Sequence, residues 1–285
     1  KYRMKNFEKT NKEKFKDDGF CIFRKVFTNV EIKKYKDEII KISEDMKSKQ
    51  DEYDHGLDNY KNLWEVITNT KLLDNLRYLF GKDIYFLHDF SFLYKHDHNY
   101  SWHRDNPCRK FGVGPDWDKS EEYNVARVGI YLQSYEETKS CLNVIPKSHN
   151  RRYTFQESLR FIHNRLKNSN VNFILKLREF LAEYIGVNVH NDPGDCIIFN
   201  AKLWHSPSPS IKKKMAFFFA FGIKNKHSLN YLDYHFNHRK QDGLFNHNLS
   251  EKYIKFLKEN DIYIEIPQGK KNIEGVFVPE NERNK

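Results

Sequence analysis

Three residues of this chain have the types and the spacing to hold a divalent metal ion. His103 and Asp105 lie two positions apart, and His205 lies in a distant segment after a Gly-Asp pair at 194–195. Two imidazoles and one carboxylate occupy one face of an octahedral iron(II) and leave the opposite face open for a cosubstrate and dioxygen. The pattern therefore predicts an oxygenase in which His103, Asp105 and His205 are both the metal ligands and the catalytic residues.

The two-residue spacing has a geometric reason. Alternate side chains of an extended segment point to the same face, so His103 and Asp105 can chelate together while His205 comes from another strand. The pair alone is weak evidence in a chain with 13 histidines, and His190 and Asp192 form a second copy that we interpret as a polar turn. The alternative for the first pair is a buried salt bridge without metal.

The blocks around these residues resemble a known family. Their order and spacing are similar to the phytanoyl-CoA dioxygenase family of iron(II)/2-oxoglutarate oxygenases, which also contains ectoine hydroxylase. The resemblance runs from about residue 18 to about residue 223. It is carried by five blocks, at 102–105, 128–133, 141–149, 194–205 and 215–222.

The resemblance implies both a fold and a reaction. The implied fold is a mainly β or α+β chain whose core is a double-stranded β-helix, the cupin-like jelly roll, with flanking helices. The implied cofactors are Fe(II), 2-oxoglutarate and O2, with hydroxylation of a C–H bond in a small-molecule substrate and release of succinate and CO2. Asp105 argues against a halogenase, because related halogenases lack the carboxylate ligand.

The chain departs from the family where 2-oxoglutarate should bind. The family places an arginine after the distal histidine, and no arginine lies between His205 and Arg239. Residues 212–214 are three lysines, and a lysine supplies charge without the bidentate fork of arginine. Alternation along the following strand places Lys214 on one face with Ala216, Phe218, Ala220 and Gly222, a face that we interpret as small enough to line a cofactor cavity, so Lys214 is our candidate. The alternative is a solvated turn for all three lysines.

Two further residues are candidates for binding the cosubstrate. Lys95 ends a strand upstream of the ligand pair, in a place that resembles a family lysine near 2-oxoglutarate, although a solvent-exposed lysine at a strand end is the alternative. Ser206, which directly follows the distal histidine, completes the predicted cofactor-binding set.

The segment 106–124 follows the ligand pair and is predicted to select the substrate. Loops beside a barrel mouth commonly carry specificity, and the glycines of this loop permit movement. Arg109 and Trp117 in the loop, together with Arg104 and Arg127, are candidate contacts for a small and possibly anionic substrate. The alternative is that the basic residues of the loop pair with its own acidic residues.

Composition favours a cytoplasmic enzyme. The net charge of +10 could suggest a nucleic-acid substrate, but the lysines are spread along the chain among acids, so we expect none. The four cysteines show no disulfide pattern, and we expect neither a membrane span nor a signal peptide. Nothing in the sequence predicts the oligomeric state.

The pattern of elements predicts a single oxygenase domain over 1–285, with a core at about 18–223. A capping box at 28–31 predicts a helix to about residue 49. Further predicted elements are an edge strand at 20–26, a helix at 71–80 ending at Gly81, a strand at 84–95, and inserted helices at 155–167 and 172–185. Residues 224–285 are interpreted as a polar extension with a helix at 250–259. Its histidines (His227, His235, His238 and His247) are expected at the surface or in a lid.

Two alternatives to an oxygenase stay open. A non-catalytic jelly-roll binding protein would keep the fold without turnover, and the lysine in place of arginine favours it. A metal-dependent cupin-like isomerase or epimerase would use the metal without consuming 2-oxoglutarate.

Overall fold

A computed structural model describes residues 9–45, 52–53, 56–81, 83–95, 101–166, 169, 171–208, 210–238, 248–268 and 275–276. The strands are β1 Phe20–Phe23, β2 Glu52–Tyr53, β3 Ile84–Lys95, β4 Val125–Tyr131, β5 Leu142–Val144, β6 Val187–Val189, β7 Cys196–Asn200, β8 His205–Pro207 and β9 Lys214–Ile223. The α-helices are α1 Asn11–Asp18, α2 Asn29–Asp45, α3 Glu65–Thr68, α4 Thr70–Phe80, α5 Tyr135–Thr138, α6 Phe155–Ser158, α7 Arg160–Arg165, α8 Asn172–Ile185, α9 Lys226–Asp233 and α10 Glu251–Glu259. Short 3-10 turns lie at Leu57–Asn59, Lys61–Leu63 and Pro115–Trp117, and a π-helical turn follows α9 at Tyr234–His238.

The strands form two antiparallel sheets. The larger sheet has the order β1-β7-β4-β9-β3-β2, and the smaller one has the order β6-β5-β8. Leu142 and Val144 of the smaller sheet share a buried cluster with Ile197, Phe199 and Ala216 of the larger sheet. The two sheets therefore face each other, and the chain is a mixed helix and strand protein with antiparallel sheets, as predicted.

Strand β9 shows how the sequence separates the two sides of the larger sheet. Its alternate residues Phe217, Phe219 and Phe221 belong to the main core with residues of α2 and α4. On the opposite face of β9, Ala216 is fully buried beside residues of the smaller sheet and Ala220 is fully buried beside residues of α9, while Phe218 is a bulky exception. The strand therefore shows the predicted alternation between two faces.

The helix signals are also largely confirmed. The Thr28 backbone and hydroxyl groups donate to the Glu31 carboxylate, and the Glu31 amide donates to the Thr28 hydroxyl at 3.3 Å. Helix α4 ends at Gly81, whose φ of 98° suits a residue without Cβ. The segment expected to be helical at 155–167 is helical, and it forms two short helices, α6 and α7.

The turn at 146–149 holds Lys147 in an unusual backbone conformation. The φ of Lys147 is 66°, in the left-handed region that glycine adopts most easily. The Lys147 amide donates to the Asp18 carbonyl at 2.9 Å, and the Ser148 hydroxyl accepts from the Trp204 amide at 2.9 Å. The hydrogen bond from Ser148 thus fixes the backbone of Trp204, which directly precedes His205.

The segment after β9 is not a simple polar extension. Tyr231, Leu232 and Phe236 are buried in one core cluster with Ile264 and Ile266. The Phe86 amide of β3 donates to the Ile262 carbonyl at 2.9 Å, and Tyr253 and Leu257 of α10 belong to the main core. The described residues of the segment 226–266 therefore contribute to two buried clusters of the interior.

Candidate metal centre

The two histidines are brought together by a backbone bridge. The His103 amide donates to the His205 carbonyl and the His205 amide donates to the His103 carbonyl, both at 3.0 Å. Directly paired residues of antiparallel segments project their side chains to the same side, and the two imidazole ring centroids lie 4.2 Å apart. An isolated bridge between residue 103 and the first residue of β8 therefore positions the two histidines, while residues 103–105 lie outside the named strands.

Asp105 is positioned by the turn that precedes His205. Its amide and that of Asn106 both donate to the Ala201 carbonyl, at 3.0 and 3.1 Å. Asp105 Oδ1 lies 3.7 Å from His103 Nε2, and Asp105 Oδ2 lies 3.4 Å from His205 Nε2. One ligand atom from each of the three residues lies within 4.8 Å of the others, and the described residues hold no second such group.

Hydrogen bonds at the outer ring nitrogens leave the inner nitrogens available for metal. His103 Nδ1 lies 2.8 Å from the Ser101 carbonyl, and His205 Nδ1 lies 3.0 Å from the Leu203 carbonyl. A carbonyl only accepts, so each Nδ1 carries the proton and each Nε2 presents a lone pair. Both Nε2 atoms are the ones nearest to Asp105, which is the donor set that a metal ion requires.

The charge states also suit a metal ion. Burial raises the pKa of Asp105, but its interaction with His205 and His103 in their protonated forms, and with the Arg127 guanidinium, outweighs burial and holds that pKa below its usual range. Burial lowers the pKa of His205 to about 4, against the opposing effect of Asp105. At neutral pH the site therefore offers one carboxylate and a neutral His205 imidazole, and a divalent cation fits it.

Arg127 contacts the ligand carboxylate rather than an open substrate space. Arg127 Nε lies 3.1 Å from Asp105 Oδ2, and its guanidinium also pairs with Asp89. The Tyr231 hydroxyl, from α9, lies 3.2 Å from the same guanidinium and donates to Asp89. These contacts assign Arg127 to holding Asp105, which the sequence prediction of a substrate contact missed.

Arg104 and Trp117 lie together on the side of the ligand segment that faces away from the two imidazoles. Arg104 is buried and donates to the Ser148 carbonyl at 2.6 Å, with its guanidinium 4.8 Å from the Trp204 ring centroid. Trp117 lies 5.0 Å from that guanidinium and donates to the Cys108 carbonyl at 2.7 Å. Both residues support the ligand loops, while the Arg109 carbonyl accepts a bond from Arg104 at 3.1 Å.

The predicted cosubstrate residues fall in different places. Lys214 is buried, with its ammonium 5.8 Å from the Tyr131 ring centroid, whereas Lys212 and Lys213 are exposed. The Lys95 backbone pairs with Lys214 across β3 and β9, but its side chain lies outside the described part of the chain. Ser206 is buried, and strand alternation places it on the opposite face of β8 from His205.

The loop at 106–124 forms hydrogen bonds and an ion pair with helix α9. The carboxylate of Asp116 accepts bonds of 2.8 Å from the Asn106 and Asn230 side chains and from the Cys108 amide. Asp118 pairs with Lys226 at the start of α9. The acidic residues of the loop therefore bind the C-terminal segment, a partner that neither sequence interpretation of the loop included.

The second His-x-Asp copy, at residues 190–192, has surroundings unlike those of His103 and Asp105. The His190 ring stacks on Tyr135 at 3.9 Å, and the Asp192 amide donates to Asp195 at 2.9 Å, so this second His-x-Asp copy is the polar turn predicted.

The histidines of the C-terminal segment differ from the prediction of surface positions. That prediction is wrong for His227 in α9 and for His235 in the π-helical turn after it, because both are buried. His247 lies outside the described residues.

Comparisons with known proteins identify a family and a shared fold. The family model for phytanoyl-CoA dioxygenase (PhyH) matches residues 15–213. Among solved structures, HygX from Streptomyces hygroscopicus with nickel and 2-oxoglutarate bound has a TM-score of 0.55 at 17% identity, covering 74% of this chain and 84% of HygX.

Two more solved structures share the fold. AviO1 from Streptomyces viridochromogenes Tue57 has a TM-score of 0.50 at 16% identity, over 75% of this chain and 94% of AviO1. SnoN, a non-haem alpha-ketoglutarate-dependent epimerase from nogalamycin biosynthesis, has a TM-score of 0.50 at 12% identity, over 75% of this chain and 79% of SnoN. No curated protein sequence matches the chain significantly.

Proposed function

This chain belongs to the phytanoyl-CoA dioxygenase family, and from that premise we propose that it hydroxylates a C–H bond of a small molecule. The family consists of iron(II)- and 2-oxoglutarate-dependent oxygenases, so the chain is a non-haem oxygenase-class enzyme with iron, 2-oxoglutarate and dioxygen as its cofactor and cosubstrates. We further propose that its two sheets form the double-stranded β-helix of the family and that it acts in the cytoplasm as one domain.

In this proposal His103, Asp105 and His205 hold the iron. The supporting observation is the backbone bridge between the histidines, which brings three donor atoms within 4.8 Å while both Nδ1 atoms are bonded to carbonyls. When bound, iron(II) with 2-oxoglutarate and dioxygen supplies the oxidising power for the C–H bond, with succinate and CO2 as coproducts. The chain's own task is to orient the ligands, and Arg127 does this for Asp105.

Lys214 is proposed to bind the far carboxylate of 2-oxoglutarate. It is the one buried member of the three-lysine segment, and it lies on the inner face of β9 with Ala216. A single ammonium gives a point-charge contact in place of the arginine fork, and burial strengthens that contact relative to one in water. Lys95, the cross-strand neighbour of Lys214, stays a second proposed contact.

The substrate is proposed to be a small molecule, with an anionic group bound by Arg109. This residue is half-buried in the loop at 106–124 and directly follows Cys108, whose amide is bonded to Asp116. Its positive charge lies close enough to the metal centre to help lower the pKa of Asp105. A substrate anion held by Arg109 would therefore lie beside the metal ligands, where the reacting C–H bond must be placed.

The test is iron-dependent release of succinate from 2-oxoglutarate, with oxygen consumption measured in parallel. Lys214→Ala should raise the 2-oxoglutarate requirement roughly tenfold to a hundredfold, the scale of a lost charge-assisted contact of about 1.5–3 kcal/mol. Lys214→Arg should retain turnover, and Lys213→Ala is the matched exposed control. An unchanged requirement in Lys214→Ala would assign the carboxylate to another residue.

The product distinguishes hydroxylation from the alternatives. Small carboxylates and phosphates should be screened for those that stimulate succinate release, and the product should be one oxygen atom heavier than the substrate. A product of unchanged composition, made without succinate release, would indicate an isomerase or epimerase. The absence of both succinate and any conversion of the added compounds would favour a binding protein.

A further inference from the structure

Helix α8 has two apolar faces, and only one of them is covered by the described part of the chain. On the inner face, Leu181 and Ile185 lie in a buried cluster with Trp102 and Trp204, the residues that precede the two histidine ligands. The outer face carries an apolar stripe with spacings of four, three and four residues. The stripe consists of Phe173, Leu177, Phe180 and Tyr184, which are between 36% and 74% exposed.

Helices α6 and α7, which both contact α8, add further exposed apolar side chains. Phe155 of α6 and Phe161 and Ile162 of α7 are each at least half exposed, and the Gln156 side chain of α6 donates to the Tyr184 carbonyl. A fully exposed aromatic side chain offers about 200 Å², so these seven side chains together offer roughly 800 Å². Monomers rarely expose patches above a few hundred Å², whereas a stable interface buries about 800 Å² on each partner.

The spacing of the stripe is self-complementary. If two copies of α8 cross antiparallel about a two-fold axis at the middle of the stripe, Phe173 faces Tyr184 of the other copy and Leu177 faces Phe180. Lys176 and Glu183 flank the stripe on the same side of the helix and are both exposed. In that arrangement Lys176 lies about 3 Å along the axis from Glu183 of the second copy, within reach of both long side chains.

We propose that a second copy of this chain covers the α8 stripe and that the protein is a two-fold symmetric dimer through α8. The arrangement makes the same patch serve both partners, as isologous interfaces require. Because the inner face of α8 packs behind Trp102 and Trp204, the dimer also anchors the helix that supports both ligand segments. The inference is independent of the reaction that the metal centre performs.

Sedimentation velocity over a range of micromolar concentrations tests this proposal. The wild-type protein should sediment as a dimer, and Phe173→Glu with Phe180→Glu should weaken association at least about a hundredfold, as expected for loss of central aromatic contacts. Val30→Glu, which alters an exposed apolar residue on α2, should leave the dimer intact. A thermal melt of each variant verifies that the fold is retained.

A charge exchange tests the antiparallel arrangement itself. Lys176→Glu should weaken the dimer about threefold to tenfold, since both symmetry-related pairs become repulsive. Adding Glu183→Lys to the same chain should restore wild-type association. A monomeric wild-type protein overturns the proposal, as does a monomer that binds phosphatidylglycerol vesicles through the stripe, and a dimer unaffected by the phenylalanine substitutions places the interface elsewhere.

Discussion

Two regions of the molecule hold Asp105 in place: the segments that contain His103 and His205, and the C-terminal segment 226–266. The first could be predicted from residues that lie close together in the sequence, and the second could not. The ligand segments carry chemically distinctive residues two positions apart, and their backbones bond directly to each other through His103 and His205. The C-terminal segment 226–266 reaches the same carboxylate indirectly, from Tyr231 through the Asp89–Arg127 pair. The position of Asp105 in the candidate metal centre thus depends on the neighbouring ligand segments and also on helix α9, which is distant in sequence and has an ordinary composition.

Removing the C-terminal segment should have the largest effect. A chain that ends at residue 223 would expose the inner cluster of Leu87, Val125 and Ala220, which residues of α9 and the 262–266 stretch cover. We expect this protein to be insoluble or unfolded, as judged by circular dichroism and sedimentation. A soluble, metal-binding protein of this length would show that the C-terminal segment is a dispensable extension.

Asp105→Ala should abolish metal binding and turnover. The loss should exceed the roughly hundredfold effect of removing an outer-shell partner, because the substitution deletes a ligand itself. Asp192→Ala is the matched control, since Asp192 belongs to the second His-x-Asp copy and lies in a polar turn. Calorimetric titration with manganese(II) measures both, and equal affinities in the two variants would contradict the assignment of Asp105.

Arg127→Met should destabilise the protein by about 3–5 kcal/mol, because it leaves the buried Asp89 carboxylate without its ion-pair partner. Tyr231→Phe should cost only about 1–2 kcal/mol, since it removes one hydroxyl from the same cluster. Urea unfolding measures both changes in the free energy of unfolding. If Arg127→Met is as stable as the wild type, the guanidinium does not connect the two regions.

Acid should weaken the fold through buried histidines away from the metal ligands. Burial lowers the pKa of His88 to about 4 and that of His149 to about 4, whereas an unfolded histidine titrates near 6.5. The unfolded chain therefore binds more protons below pH 6.5, so stability present above that pH is lost as the pH falls toward 4. Each histidine should contribute about 1–2 kcal/mol of this loss at pH 5.

The variant that tests this prediction is His149→Gln, and His190→Gln is its control. His149 is buried against the Lys16 carbonyl at 3.1 Å, whereas His190 is exposed. The free energy of unfolding should depend less steeply on pH between 6.5 and 5 in His149→Gln than in the wild type, and His190→Gln should match the wild type. Identical slopes in all three proteins would exclude His149 as a titrating group.

The elements that were predicted correctly are those with strong local signals. The alternation along β9 places Phe217, Phe219 and Phe221 on one face and Ala216 and Ala220 on the other, and Gly81 ends α4 where the helical period stops. The proximity of His103 to Asp105 was predictable because the two residues lie two positions apart. In each case the physical cause acts within a few residues.

The features that were missed depend on long-range pairing. Arg127 was interpreted as a substrate contact because its position on β4 does not reveal that Asp89 and Asp105 lie beside it. The C-terminal segment is polar on average, but Ile262, Ile264 and Ile266 alternate with polar residues and are all buried. That period of two was the available signal for a segment packed against the sheet.

A crystal structure of the protein with manganese(II) and 2-oxoglutarate tests the central claim most directly. Anomalous scattering should place one metal ion between Nε2 of His103, Nε2 of His205 and a carboxylate oxygen of Asp105, with the far carboxylate of 2-oxoglutarate at the Lys214 ammonium. Metal density at other side chains, or none within bonding distance of Asp105, would contradict the account.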